Sequence, residues 1–178
     1  TLGEDGQFSG ERAHRLLNTP TARAALIENL AQVLAMQGFA GVDIDFEYVP
    51  PEDADAYAAF VRSVRERLSP AGYTVFAALA PKTSAAQQGL LYEAHDYAAL
   101  GSAADRALLM TYEWGYTYGE PMAVSPINHV RRVLEYGLTE IPAEKILMGM
   151  SNYGYDWALP FVRGESKAEK LTNYQAQA

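Results

Sequence analysis

The chain has 178 residues, 49% of them hydrophobic, which is enough for one domain with a proper core. Its formal net charge of −8 argues against nucleic acid and anionic membrane surfaces, which both need a basic face, although part of that acidity serves solubility. It has no cysteine, so disulfides and thiolate metal sites are excluded, and no run of about 20 apolar residues to span a membrane.

The opening TLGEDGQFSG is polar and glycine-rich and reads as a loop leading into a helix, neither strand nor signal peptide. If the parent protein is secreted, its address was removed or lies outside this chain. The spacing then predicts a helix over 19–37, with Thr19 as its cap and Pro20 at the first helical position. Leu26, Leu30, Val33 and Leu34 fall on one face, and Gly38 stops the helix. An apolar, strand-like run follows at 38–48. Residues 51–68 read as a helix with acids in the first turn and arginines in the last, as the helix dipole prefers.

The same beat then repeats. Strand-like runs recur at 73–80, 106–114 and 145–153, each nearly continuous in apolar residues, which suits parallel strands covered on both faces. A weaker helix is expected near 92–100. Another over 125–137 carries a Ser cap, an adjacent Pro and a Gly stop. Strand and helix alternating roughly every 35 residues means βα units and a parallel sheet. No glycine-rich phosphate loop follows any strand, which lowers a nucleotide-binding reading. The length holds about four units where an eight-unit barrel needs ~250 residues. The expectation is an α/β fold: a (β/α)8 TIM barrel present as a partial fragment, with the early strands and the last strand missing. GESKAEKLTNYQAQA reads as the start of a helix. Such a fragment would expose open sheet edges through which it could self-associate.

The stretch that carries chemistry is GVDIDFEY, residues 41–48. Side chains alternate across a strand, so Asp43, Asp45 and Glu47 share one face while Val42, Ile44 and Phe46 share the other. The apolar face can pack under helices, which turns the acids toward the barrel interior and its C-terminal mouth. Carboxylates so crowded cannot all ionise comfortably, and at least one pKa should rise. A raised pKa suits a general acid. Glu47 lies nearest the mouth and is the natural proton donor; Asp45 stands beside it and exchanges its proton with it; Asp43 lies deeper and tunes Asp45. Two other readings of the trio exist. It could be a solvated edge strand, although the interleaved residues are large and apolar. It could hold magnesium or calcium, although ligands at every second position of one strand surround a cation poorly.

The acidic stretch FAGVDIDFEY resembles the signature of glycoside hydrolase family 18, D-G-x-D-x-D-x-E, with Ala40 in place of the first acid. LLMTYEWGY (108–116) is similar to the family's M-x-Y-D strand, with Met110 and Tyr112 matching and Glu113 in place of Asp. MGMSNYGYDW (148–157) and FAALAPKT (76–83) resemble two further strands. The wording looks closest to the bacterial spore-germination and cortex-lytic N-acetylglucosaminidases, often joined to LysM modules. The resemblance implies a retaining glycosidase that cleaves β-1,4 bonds at N-acetylglucosamine in peptidoglycan or chitin, without cofactor or metal. The substrate's own acetamido oxygen would attack the anomeric carbon. Glu47 would protonate the leaving oxygen, Asp45 would bind the acetamido N–H, and Tyr112 would hold the acetamido oxygen. An extracellular, cell-wall or spore-associated location would follow. A lectin-like relative that only binds sugar is the alternative, against which the presence of Glu47 speaks.

Twelve tyrosines and two tryptophans are many for this length, and several cluster after strands. Tyr48, Glu113, Trp114, Asn152, Tyr153, Asp156 and Trp157 are the candidate substrate-binding residues, with Tyr116, Tyr118 and Tyr155 in the same aromatic set. Flat sugar faces pack well on rings. Tyrosines near strand ends are also commonly core, and some of these rings would only pack loops. The three histidines, His14, His95 and His129, are expected in surface or capping roles, since no pair has metal-ligand spacing.

Overall fold

The computed structural model describes residues 2–177. Five α-helices and six strands lie along these residues. Helices α1 (Gly10–Leu17) and α2 (Pro20–Gln37) precede strand β1 (Gly41–Ile44); α3 (Ala54–Leu68) leads to β2 (Thr74–Leu79). Helix α4 (Tyr97–Ala103) leads to β3 (Arg106–Leu109), and α5 (Ile127–Glu140) to β4 (Ile146–Met148). Strands β5 (Tyr153–Asp156) and β6 (Glu169–Thr172) follow, and a 3₁₀ turn at Gln175–Gln177 comes last.

β1 to β4 form one parallel sheet in sequential order, with Ile44 opposite Ala77, Leu79 opposite Leu109, and Leu109 opposite Met148. Sequential parallel strands joined by helical crossovers are the repeating unit of a (β/α)8 barrel, of which this sheet is a part. All five helices feed one core with Ile44, Val75, Ala77, Leu79, Ala107 and Leu109 of the sheet. The opposite face carries a smaller apolar cluster of Ala78, Ala80 and Met110, flanked by Leu91, Tyr92 and Tyr112. The register explains the split. Residues in step with Asp43 (Phe76, Ala78, Leu108) face one way, and their neighbours face the helices.

Gly41 opens β1 because nothing larger fits there. A Cβ on it would lie 2.1 Å from the Thr74 carbonyl oxygen, a backbone atom that cannot step aside. Gly41→Ala is therefore expected to cost about 1–3 kcal/mol, read as a lowered urea midpoint with unchanged slope. The Ala40 carbonyl accepts from the Thr74 amide at 3.1 Å, so the strand starts normally without the family's first acid.

Several local expectations need correction. Each predicted strand is shorter than its apolar run, because pairing ends where the partner strand diverges. Asp45 and Glu47 thus lie in extended chain beyond β1, not within it. Thr19 does not cap α2 with its side chain; its hydroxyl donates to the Arg15 carbonyl, although Pro20 and the left-handed Gly38 (φ 69) stand as expected. Val33 is 43% exposed and so leaves the apolar face of that helix. The helix at 51–68 begins as a short 3₁₀ turn, Pro51–Asp53. The weak helix lies at Tyr97–Ala103, started by Asp96, whose carboxylate accepts from the Ala99 amide.

α5 runs through Gly137, where a side chain would press on Leu109, and stops at Ile141; Ser125 reaches Ser151 rather than capping it. The segment expected to start a helix instead supplies β6, which pairs antiparallel with β5 (Asp156 opposite Glu169), and a 3₁₀ turn at Gln175–Gln177. Lys170 sits 3.8 Å above the Tyr153 ring, a cation–π contact that helix geometry would not give.

Candidate active site

The site grows from the end of β1. Ile44 and Phe46 are buried, while Asp43 and Asp45 reach solvent on the other face and Glu47 is half-buried. The period-two alternation thus persists past the last ladder hydrogen bond. Phe46 fixes it from beneath by stacking on Tyr57 (centroids 5.5 Å apart, 6° between planes) and on Phe60 (5.6 Å, 19°).

The three carboxyls are all held above their ordinary range. Burial is the main cause for each. The charge of Asp45 adds to the rise at Asp43 and at Glu47. Tyr112 feels the same group: burial raises its phenol first, then the charges of Asp45, Asp43 and Glu47. Tyr112 borders the same cleft as Glu47, two strands along the sheet. Gly149 backs its ring, since a Cβ there would lie 2.6 Å from Tyr112 Cε1.

A cleft of ≈550 Å³ opens beside Glu47. It is lined by Glu47, Tyr48, Pro81, Leu91, Tyr92, Met110, Tyr112, Glu113, Trp114 and Tyr116. A carboxylic acid, a phenol and several aromatic rings thus border one space, an arrangement able to stack a sugar ring and deliver a proton. A second cleft, at Arg62, Arg65, Glu66, Ser69, Pro70 and Ser102, holds none of the predicted site residues. Among the described residues no group of three or more His, Cys, Asp or Glu side chains is placed to hold a metal ion.

The predicted residues divide into those brought together and those left apart. Glu47, Tyr48, Tyr112, Glu113 and Trp114 share the cleft, with Asp45 and Asp43 below Glu47 on the same face. Glu113 accepts from the Tyr153 hydroxyl at 2.5 Å and from the Tyr155 hydroxyl at 2.8 and 3.0 Å. Burial and that carboxylate raise both phenols, Tyr155 to about 12. Tyr153 is therefore a partner of Glu113 at the cleft's edge. Asn152, Asp156 and Trp157 do not line the cleft; the Trp157 indole donates to the Gly119 carbonyl at 3.0 Å and ties down the hairpin.

Sequence reasoning missed Tyr92, Leu91 and Pro81, which arrive from the loop after β2. An aromatic in a loop following a strand was the available signal for Tyr92. It also missed His95, expected at the surface or as a cap. His95 is 1% exposed, and its Nδ1 accepts from the Ala80 amide at 2.8 Å while Nε2 donates to the Phe46 carbonyl at 2.9 Å. Burial lowers its pKa to about 4, so it is neutral. His14 is half-exposed and pairs with the buried Asp53 at 2.7 Å, joining α1 to the start of α3; His129 lies beside the Trp114 ring.

Backbone strain marks the same place. Among the described residues Tyr48 (φ 55) and Glu113 (φ 65) are the two non-glycine residues with positive φ, and both border the cleft. Such conformations persist where the surroundings over-determine them, commonly at functional sites.

Comparison with known proteins identifies the family and the fold. The family model described as glycosyl hydrolases family 18 matches residues 5–177. A cortical fragment-lytic enzyme of Bacillus subtilis is 48% identical over 173 residues, covering 97% of this chain and 40% of that protein. The crystal structure of the Bacillus cereus spore cortex-lytic enzyme SleL superposes with a TM-score of 0.93 at 42% identity, over 98% of this chain and 40% of that one. A chitinase from Chromobacterium violaceum superposes with a TM-score of 0.89 at 25% identity, covering 99% of this chain and 54% of that one. The chain spans about two fifths of the length of the curated relatives that it matches first.

Proposed function

The chain belongs to glycosyl hydrolases family 18, and from that membership we propose that it carries the acid side of a retaining glycosidase acting on N-acetylglucosamine-containing glycan. The observation that carries the proposal is the single-face trio of raised carboxyls ending at Glu47, which borders an aromatic cleft opposite Tyr112. In this reading Glu47, protonated, donates to the departing glycosidic oxygen. The 2-acetamido oxygen of the sugar attacks the anomeric carbon, closing an oxazolinium ring as the glycosidic bond breaks. Asp45 accepts the acetamido N–H and offsets the ring's positive charge. The Tyr112 hydroxyl donates to the acetamido oxygen and aims it. Glu47, now a carboxylate, then takes a proton from the water that opens the ring, which regenerates both the acid and the original configuration.

Two relatives are named for spore cortex, and their high identity favours cortex peptidoglycan over chitin as the glycan. That substrate would place the protein outside the cytoplasm, at the cell wall or spore. Among the described residues no helix is long and apolar enough to cross a membrane.

The test uses paired substrates. N-acetylglucosamine oligosaccharides and cortex fragments should be cleaved with retention at the new reducing end, followed by proton NMR. The same oligosaccharides after de-N-acetylation should react at least about 10³-fold more slowly, because an intramolecular nucleophile of high effective molarity is gone. Equal cleavage of the two would overturn the substrate-assisted reading; sugar binding without any turnover would favour a lectin-like protein instead.

A further inference from the structure

We infer that His95 is a positioning residue for Glu47, an imidazole inserted between the diverging ends of β1 and β2 in place of a ladder hydrogen bond. The inference deepens the proposed function and rests on Glu47 being the proton donor. β1 and β2 pair through Ile44 and Ala77, after which direct pairing stops although β2 continues to Leu79. Continued in register, Phe46 would face Leu79. Instead the His95 ring takes the Ala80 N–H on Nδ1 and gives its own Nε2–H to the Phe46 carbonyl. An imidazole is wider than a hydrogen bond, so it holds the two strand ends apart while still satisfying both backbone groups. Ring spacing of this kind opens the sheet where the Glu47 side chain emerges.

Groups that have no part in the proposed chemistry hold the ring and the backbone around it. Tyr57 lies 5.9 Å from it and stacks on Phe46 in turn. The Lys82 ammonium, on a side chain 3% exposed as a residue, donates to the His95 carbonyl at 3.1 Å. The Tyr97 hydroxyl donates to the Ala80 carbonyl at 2.6 Å and accepts from the Lys82 amide at 3.0 Å. Ala80 is thereby held at its amide by His95 and at its carbonyl by Tyr97. Phe46 is held at its carbonyl by His95 and at its ring by Tyr57 and Phe60. Glu47 is the next residue, and beyond it Tyr48 is pinned in a left-handed conformation whose carbonyl packs against Gly10. The proton donor therefore sits on a short backbone stretch anchored at both ends, the arrangement a donor needs to stay within hydrogen-bonding reach of one oxygen.

The experiment compares His95→Leu, His95→Gln and Tyr97→Phe with wild type on an N-acetylglucosamine oligosaccharide, well below each protein's melting temperature. Leucine fills the volume but offers neither acceptor nor donor, so kcat should fall about 10- to 100-fold while KM stays within about twofold. Glutamine supplies one acceptor and one donor from a planar group and should recover most of that loss. Tyr97→Phe removes the hydroxyl's hydrogen bond to the Ala80 carbonyl, leaving that oxygen only the Lys82 amide at 2.9 Å, and should lower kcat about 3- to 10-fold at unchanged KM, which keeps the test open if the leucine variant fails to fold. Wild-type kcat in folded His95→Leu or Tyr97→Phe overturns the inference. So does a glutamine variant as impaired as leucine with KM raised in both, which would mark a general structural role. Glu47→Gln run alongside separates the two readings: if it too retains full turnover, the donor assignment has failed and not the anchor.

Discussion

Glu47→Gln is expected to lower kcat on N-acetylglucosamine glycan by about 10²–10⁴-fold with KM within about threefold, the range for loss of a general acid. Glutamine keeps the shape and hydrogen-bonding reach of glutamic acid but has no transferable proton. The wild-type carboxyl is held above its ordinary range first by burial and then by the negative charge of Asp45, so more of it remains protonated as pH climbs toward neutral. The size of the loss should track the leaving group. A glycoside whose aglycone departs readily as an anion needs little protonation and should lose far less than a sugar leaving group. Stopped assays on one activated and one natural substrate give both numbers. Equal losses on the two, or no loss on either, would remove Glu47 from the donor's role.

Asp45→Asn should have the second largest effect, an activity loss of about 10²–10³-fold, because a developing positive charge would lose the carboxylate set beside it. The same change should also move Glu47. With the Asp45 charge gone, the Glu47 pKa falls toward the usual carboxylate range, and the alkaline limb of the residual pH–rate profile moves to lower pH. Stability carries a matching sign. A carboxylate whose pKa is raised by folding contributes stability below its unfolded pKa and loses it as pH rises through the folded value. Asp43, Asp45 and Glu47 all belong to that class. Replacing Asp45 removes one such group and relaxes two others, so the variant's melting temperature relative to wild type should improve as pH rises from the acid side of the carboxylate range to neutrality. His95, neutral with a pKa of about 4, acts in the opposite direction, losing its contribution as pH falls, but it is common to both proteins and cancels in the difference. Calorimetric scans across that range check the slope; a difference that is flat or declining with pH would show that Asp45 does not share a field with its neighbours.

The alternating face was legible because its regularity is local. Alternation at Asp43, Asp45 and Glu47 needs only the pleat of an extended chain, and it holds even beyond β1, where no ladder supports it. Helices announced themselves through Pro20 and Gly38, and the parallel sheet through runs of apolar residues separated by those helices. Tyr112 could be singled out as a candidate only with its flanking Met110, through resemblance and not through spacing, since one tyrosine at a strand end is ambiguous.

The rest depended on partners far along the chain. Where each strand stops is decided by its neighbour, so apolar runs overstated every strand. The β5–β6 hairpin is written in contacts such as Lys170 over Tyr153 and Ala168 to Thr117, which no single window of sequence contains. Glu113 lines the cleft as expected of a site candidate, but the phenols its oxygens accept from, Tyr153 and Tyr155, lie 40 and 42 residues away.

The amino-acid order alone determined the βα beat, the acidic face and the identity of its outermost member, because backbone alternation and helix stops are properties of neighbouring residues. Tertiary structure alone decided how that face is held open. His95 is 49 residues from Phe46, and its pattern in the chain resembles any histidine before a helix. Only folding carries it into a dry gap between two strand ends, where an unsatisfied amide and an unsatisfied carbonyl would each cost about 1–3 kcal/mol and a neutral imidazole satisfies both.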